Sequence, residues 1–476
     1  MLEIQQPAEI QVSDTGPVAT VPVPAPQIFS RKFIFLILFA ALFVNAALVL
    51  VGLPKVSSAL PLTYSISFGD FYDVIAKNLA QGNGYRIDPA MGDTMLREPG
   101  YPLLLAAVFK LGGYGIQQAR VACVVLAFGA ALLLLRLTRK ITGDAVTTLT
   151  ASLLFLLYPG ILVAEAHAGI EIFSIFTMLL FMLALYSAVE KGSLWRYCAA
   201  GLLLGVAVLV RSEVLLFPLL LLVYLLLGAK GWVEGRKMVA RIAVLGLGAV
   251  IVMSPWITRN YLLVHEFVPT ATVAGVAAQE GLYTCENAAP AEPFSVGETR
   301  AGFERVELAR QLGMPFVGPY YQLFYTPHDE VAFNHALLRQ VSTEYRNHPA
   351  LLVRCAAKNV FFNFWFLGKR RQSTLLNVIV QAPLLGLALG GIAVLWKRGV
   401  LRKAGIILLY ILYIPAVHAL IIAHARHSML IVPFLATLAA TFLVSAWRAL
   451  RMQNSGAPLD QTLATTSGER RLPVIG

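Results

Sequence analysis

The chain has 476 residues, of which 58% are hydrophobic and only 13% are charged, and its mean hydropathy is +0.70. Soluble domains carry about 25% charged residues, so a soluble globular protein is excluded and an integral membrane protein is indicated. The net charge of +12 does not point to a nucleic-acid partner, because much of the excess sits in short loops between apolar runs, as the positive-inside rule requires.

Residues 1–30 are rich in Pro, Val, Ala and Gln, with no basic start and no packed-core pattern. They are expected to be a disordered cytoplasmic tail. Arg31-Lys32 then leads into the apolar run 33–53, which has the form of an uncleaved signal-anchor. About ten spans are expected. They lie at 33–53, 116–136, 145–160, 169–188, 197–210, 213–229, 241–257, 376–396, 404–423 and 428–447. Backbone in hydrocarbon must satisfy its own hydrogen bonds, so these runs are helices and the fold class is an all-α polytopic membrane protein. The fifth and sixth runs are short and joined by Arg211-Ser212-Glu213 with almost no loop. They form either two spans or a hairpin that does not fully cross twice.

One set of connections reads RLTRK, EKGSLWR, AKGWVEGRKMVAR and WKRGVLRK, with RK before the first span and WRALR after the last. The opposite short turns hold only Arg211 and Arg426. The first set is therefore expected in the cytoplasm, with both termini inside. The expected organisation is a tail at 1–30 and a transmembrane module at 31–257 with a long first outer loop at 54–115. A small outer-surface domain follows at 258–375, then further spans at 376–447 and a cytoplasmic tail at 448–476. Within the outer domain, HPALLVRCAAKNVFFNFWF has the spacing of a helix lying in the interface, and VGPYYQLFYTPHDE would suit glycan stacking or packing on the membrane. Cys123 and Cys198 lie in apolar runs, whereas Cys285 and Cys355 lie in the outer segment, where a disulfide is chemically allowed.

The first outer loop is dense in Asp, Arg, Tyr and Gly. DFYDVIAKNLAQG reads as a helix starting at Asp70, with Phe71, Val74, Ile75 and Leu79 on one face and Asp70, Asp73 and Lys77 on another. Such a helix can lie on the membrane surface with its carboxylates turned from lipid. Taken alone, Asp70 reads as an N-cap after Gly69, and Asp73 as an i,i+4 partner of Lys77. REPGYPLLLAAVFKLGG then starts a second, non-spanning helix, with Pro99 near its first turn.

This layout, an Asp in a juxtamembrane helix, then Asn-Leu-Ala-x-Gly, then Arg-x-Pro-x-Tyr-Pro, resembles the first outer loop of GT-C superfamily glycosyltransferases. The nearest branch is the bacterial glycosyltransferase 39/83 group, which includes protein O-mannosyltransferases and the aminoarabinose transferase of lipid A. Matches follow in order: GDAVTTLTASLLFLLYP, Glu171, GLLLGVAVLVRSE, PWITRNY and HARHSMLIVP, so the resemblance covers 33–447. Many relatives carry Arg/Lys-Pro-Pro where this chain has Arg97-Glu98-Pro99, and Asp-Glu where it has Asp70-Phe71.

The resemblance implies a GT-C fold and a transferase at the outer face of a bacterial inner membrane. It would take a sugar from a polyprenyl-phosphate donor, with inversion, to a glycan, lipid or protein acceptor. Such chemistry needs a carboxylate to take the acceptor proton and cations for the leaving phosphate. Asp70 is the expected base, with Asp73 as the fallback. Arg97 is the expected phosphate ligand, joined by Arg211, Arg259 and Arg426 at the outer ends of spans, where snorkelling to headgroups is the competing role. Tyr101, Glu171 and His427 are expected at the substrate. Glu171 serves either the sugar or a pair with Arg211, and the histidines flanking Arg426 suit a pH-dependent phosphate contact. No cofactor and no metal ligand set is expected, although a metal-dependent branch of the superfamily uses several loop carboxylates, of which this chain has a partial set. Two other readings are a polyprenyl-linked glycan polymerase or ligase and a secondary transporter. The latter is opposed by the absence of a duplicated half.

Overall fold

The computed structural model describes residues 31–55, 70–286, 294–314, 326–365, 371–422 and 425–454. Every regular element among them is helical. The tails expected at 1–30 and beyond 454, and most of the aromatic run at 317–330, lie outside the described residues.

The first span is α1 (Arg31–Ala47), extended by a π-helical turn at Leu48–Gly52. The first outer loop carries α2 (Tyr72–Gln81) and α3 (Gly100–Gly112). Then come α4 (Ile116–Thr142), α5 (Ala145–Leu156), α6 (Pro159–Ala166), α7 (Ile170–Lys191) and α8 (Leu194–Val210). A 3₁₀ turn at Ser212–Val214 leads into α9 (Phe217–Leu227) and the long α10 (Trp232–Val264). The outer helices are α11 (Ala274–Glu286), α12 (Phe294–Gln311), α13 (Pro327–Asn347) and α14 (Pro349–Trp365). The chain returns through α15 (Arg371–Lys397), α16 (Gly405–His418), the short α17 (Ala425–Ser428) and α18 (Val432–Asn454).

Seven helices among the described residues are long and apolar enough to cross a membrane, and α5 with α6 makes an eighth as a pair bent by 46°. The span expected at 145–160 is thus a broken one that reaches Ala166. Pro159, at the first turn of α6, has no N–H to continue α5. The runs expected at 197–210 and 213–229 form short apolar helices, of 17 residues in α8 and 11 in α9. At 1.5 Å per residue, α9 is only about 16 Å long.

The break in α5–α6 leaves a carbonyl without a helical partner, and α1 supplies one. Asn45 Nδ2 donates to the Leu156 carbonyl at 3.0 Å and to Glu165 Oε1 at 2.9 Å. Only 22% of the α1 window is buried against 72% for the helix at the C-terminal end, which places α1 at the lipid-facing rim and α18 in the centre. α18 packs on α5 and α15, and α4 packs on α5 and α7 around a single large apolar core.

Lipid tails are as apolar as leucine, so helix pairs in a bilayer associate through close packing. One such close crossing is α8 on α10. Gly201 and Gly205 form a Gly-Leu-Leu-Leu-Gly stripe. A Cβ on Gly201 would lie 2.1 Å from the Leu245 carbonyl oxygen, and one on Gly248 would lie 2.6 Å from the Cys198 carbonyl oxygen. The two backbones therefore touch directly, which holds the C-terminal end of α8 in place.

On the outer side, α11 packs on α12 and α13. A disulfide joins Cys285 at the end of α11 to Cys355 in α14 across 70 residues, with the Cα atoms 5.5 Å apart. This closes the pairing that the sequence left open, and it fits an oxidising compartment on this side.

The α8–α10 contact yields a first expectation. Gly201→Val should lower the melting temperature or the yield of folded protein sharply. Overpacking usually costs about 1–3 kcal/mol, and here the neighbour is backbone that cannot turn aside. Thermal unfolding of the detergent-purified variant checks this, and a wild-type melting curve would contradict the contact.

Candidate active site

α2 starts at Tyr72, two residues later than the periodicity predicts. Asp70 and Phe71 both have left-handed backbones, with φ of 66° and 65°, and no side chain caps the helix. The N-cap role of Asp70 is therefore not the one the structure shows. Left-handed backbone is disfavoured for residues with a Cβ, and most for a bulky one such as phenylalanine. Arg97 holds the turn. Its Nε donates to the Asp70 carbonyl at 3.0 Å and its Nη2 to Asp70 Oδ1 at 3.3 Å. Both side chains of this ion pair are about nine-tenths buried, with 8% and 11% exposed.

The apolar face of α2 does not lie on lipid. Ile75, with Phe71, Val74 and Leu79, packs against Tyr85, Ile87, Leu96 and Trp256. The loop turns back after Gly84 and covers this face with its own residues. The opposite face carries Tyr72 and Ala76 into the main core. Asp73 is also enclosed. The Tyr114 hydroxyl donates to its Oδ2 at 2.7 Å, and Lys77 lies over the Tyr114 ring at 5.1 Å. Tyr114 thus stands where the i,i+4 ion pair was expected.

Each residue of Arg-Glu-Pro-Gly-Tyr-Pro has a place. The Arg97 guanidinium lies over the Tyr72 ring at 5.3 Å. Glu98 accepts from Ser212 Oγ at 2.6 Å and from Ser212 N at 3.3 Å. Gly100 lets α3 approach the end of α8, since a Cβ there would lie 2.7 Å from the Leu209 carbonyl oxygen. Tyr101 meets the Tyr72 ring edge-on at 5.5 Å and donates its hydroxyl to the Ala168 carbonyl. Tyr101 is only 2% exposed, so its position is one of packing. The motif clips the first loop to the outer ends of α7 and α8.

Those ends carry the second cation. Arg211, which ends α8, lies between two carboxylates, with Nε 2.9 Å from Glu213 Oε1 and Nη1 3.7 Å from Glu171 Oε1. Glu213 Oε2 faces His418 Nε2 at 2.9 Å. A carboxylate accepts, so this ring nitrogen carries the hydrogen. The His418 ring lies 4.2 Å from that of His427. The pairing role of Glu171 is therefore observed. Burial pushes the Tyr72 hydroxyl up in pKa, and the charges acting on it are Arg97, Glu98, Asp70 and Arg211. The first expected phosphate ligand, Arg97, thus lies on this phenol and also grips the expected base.

Arg259 is placed differently. Its guanidinium lies over Trp256 at 4.6 Å and Tyr85 at 5.2 Å, donates to the Thr94 carbonyl at 3.0 Å and lies 3.5 Å from Asp93 Oδ2. These contacts brace the segment before Arg97. The Arg426 side chain lies outside the described residues. Among the described residues, no three His, Cys, Asp or Glu side chains stand together as a metal site.

Four residues that the sequence did not single out complete the arrangement: Glu98, Glu213, His418 and Glu330. Glu213 and His418 end apolar runs, which was the available signal. Glu330 had none. It sits in the first turn of α13 and reaches the first outer loop, where Thr94 Oγ1 donates to one oxygen and Met95 N donates to the other at 2.8 Å.

Comparison with known proteins follows from this geometry. A family profile described as dolichyl-phosphate-mannose-protein mannosyltransferase matches residues 97–258, roughly a third of the chain, beginning at Arg97 itself. No curated protein matches. Among solved structures, the archaeal oligosaccharyltransferase AglB from Archaeoglobus fulgidus, bound to an inhibitory peptide and a dolichol-phosphate, is similar at a TM-score of 0.52 and 13% identity. The alignment covers 92% of this chain and 52% of that one. The same organism's oligosaccharyltransferase tethered to an acceptor peptide gives 0.53 and 14%, covering 92% and 53%. ArnT from Cupriavidus metallidurans bound to undecaprenyl phosphate is also found, at 0.35 and 15%, covering 89% and 79%. The chain spans about half the length of the oligosaccharyltransferase that it resembles. At these identities the likeness is one of fold: an all-α, multi-pass GT-C membrane fold, as the sequence led one to expect.

Glu330 gives the site a pH dependence. Burial pushes its carboxyl from 4.5 up to about 7, against hydrogen bonds from Thr94, Met95 and Thr272. Between those values the folded protein keeps a proton that the unfolded chain has lost. Stability from this group is thus complete below about 4.5, declines as pH rises, and levels off above about 7. The melting temperature should be higher at pH 5 than at pH 7.5, and Glu330→Gln should flatten that difference. If the variant retains the full slope, the titration belongs to another group.

Proposed function

We propose that this chain is a glycosyltransferase that moves a sugar from a polyprenyl-phosphate carrier to an acceptor, with inversion, at the outer face of a bacterial inner membrane. The observation that carries the reading is the buried Asp70–Arg97 pair, held in left-handed backbone at the head of the first outer loop. Strained backbone with an ion pair persists only where the surroundings over-determine it, and functional sites are where it clusters. The description of the matched family and the carrier lipid named with the archaeal fold relative support the same class of donor.

In this reading the acceptor hydroxyl oxygen attacks C1 of the sugar and Asp70 takes its proton. The bond from C1 to the phosphate oxygen breaks, and its electron pair leaves with the phosphate. Charge on that phosphate grows as the bond breaks, so cations placed there stabilise the transition state more than the ground state. Arg97 and Arg211 supply them. Arg97 touches both base and leaving group, which ties the position of the base to the presence of donor. Glu213, itself held by His418, and Glu171 hold the Arg211 guanidinium in place. Asp73, committed to Tyr114, serves the loop's structure.

Asp70→Asn should lower the transfer rate by about 10²–10⁴-fold in the protein that folds, and should also lower the melting temperature, because the buried Arg97 loses its counter-charge. Transfer of a labelled sugar from polyprenyl phosphate by the reconstituted protein measures this. A fully active Asp70→Asn protein would move the base elsewhere.

Arg97→Lys keeps the charge and loses the fork that grips both the carbonyl and the carboxylate of Asp70. It should raise the donor KM and lower kcat together. The double variant with Asp70→Asn should lose little more than Asp70→Asn alone, because the two side chains act as a unit. Losses that simply add would show the two residues to be independent.

A further inference from the structure

We propose that the end of the bundle opposite the candidate active site holds a binding site for an anionic phospholipid, seated under the short helix α9. The charge asymmetry of the loops assigns this end to the cytoplasmic leaflet.

The site arises from a mismatch in helix length. α9 has 11 residues, starting at the outer end of the bundle just after Ser212–Val214. At about 16 Å it stops short of the far surface, given a hydrocarbon core about 30 Å thick. Its neighbours run on: α4 continues to Thr142, α7 to Lys191, and the chain re-enters the bundle through the 3₁₀ turn Leu401–Ala404. The missing length leaves a cavity of about 810 Å³, within the range of ligand pockets, roughly 300–1,000 Å³. Leu225, Leu227 and Gly228 form its wall where α9 ends. Leu227 is 84% exposed, so that wall opens onto the lipid side.

The polar lining is set for an anion. Of its two carboxylates, Glu190 is paired with Lys140 Nζ at 2.6 Å, and Glu234 accepts from the Lys230 backbone N–H at 2.7 Å. Arg402 and Lys403 have no ion-pair partner among the described residues. The backbone that carries them is fixed, because the Tyr186 hydroxyl donates to the Lys403 carbonyl at 2.9 Å. The Arg402 guanidinium reaches the end of α9, with Nη2 3.6 Å from where a Cβ on Gly228 would lie.

General inward bias of Lys and Arg explains cations on this face. It does not explain three cations, Lys140, Arg402 and Lys403, set against two carboxylates around one apolar notch. A phosphate held by Arg402 and Lys403, with acyl chains along Leu225 and Leu227, satisfies both halves of the lining. Free phosphate would satisfy only one.

The test uses the full chain purified in a neutral detergent. Phosphatidylglycerol, phosphatidylcholine and inorganic phosphate are titrated separately, with melting temperature and lipid adducts in native mass spectrometry as readouts. Phosphatidylglycerol should raise the melting temperature by several degrees and remain bound as a single adduct, while the other two do neither. The double variant Arg402→Gln, Lys403→Gln should lose both effects. Arg451→Gln, whose guanidinium lies 4.5 Å over the Trp447 ring at the same end, should keep them. Equal stabilisation by phosphatidylcholine would overturn headgroup recognition, and equal stabilisation by inorganic phosphate would overturn the lipid. The lipid selectivity of the wild-type protein decides the matter even if the double variant does not fold.

Discussion

The outer face of this protein depends on one guanidinium closing on one residue twice. Arg97 takes the carbonyl of Asp70 and its carboxylate together, and two consecutive left-handed residues are held as a result. That grip sets the turn from which α2 starts. The other motif residues then fasten Arg97 itself: Tyr85 donates to the Arg97 and Glu98 carbonyls at 3.0 and 3.1 Å, Ser212 meets Glu98, and Tyr101 meets α7's entry loop. A charged pair is costly to enclose unless its hydrogen bonds are met. Here Arg97 donates to both the carbonyl and the carboxylate of Asp70 and lays its guanidinium on the Tyr72 ring.

This explains how a fold whose spans are held largely by shape, with a few hydrogen bonds such as Asn45 to the Leu156 carbonyl, can place polar groups accurately. Within the bilayer, contacts such as Gly201 on Leu245 fix the helices through exclusion of atoms, with no directional bond. At the outer surface the control passes to ion pairs. Arg211 is gripped by Glu213, Glu213 by His418, and Arg259 by Asp93 and two aromatic rings. Glu330 adds a tie from the outer helices to the segment just before Arg97. The first loop is therefore bound from below by α7 and α8 and from above by α13.

Hydrophobic run length made most of the spans legible, because the bilayer imposes one length on all of them. It failed at Tyr158-Pro159, where a kink sits inside an unbroken apolar run. Periodicity found the apolar face of α2 correctly and misjudged what covers it, since a stripe of Ile75 and Leu79 reads the same against lipid as against Tyr85 and Trp256. The family resemblance brought out Asp70 and Arg97, and their place at the outer ends of apolar runs brought out Arg211 and Glu171; the structure pairs Asp70 with Arg97 and Glu171 with Arg211. The contacts that distinguish Arg211 from Arg259, or Asp70 from Asp73, were not legible. They join residues far apart in the chain, as Glu213 joins His418 and Asp73 joins Tyr114, and no local pattern announces them.

The bridge between Cys285 and Cys355 carries a consequence for biogenesis. Its two halves are separated by 70 residues and both belong to the layer beyond the spans. Disulfides are made where an oxidant is present, so this covalent tie waits until translation and translocation have delivered both cysteines. Insertion of the spans is driven by lipid and can proceed without it. Maturation of that layer is then a separate, later event that follows the supply of oxidant, and a cell short of oxidant would accumulate inserted but unsealed protein.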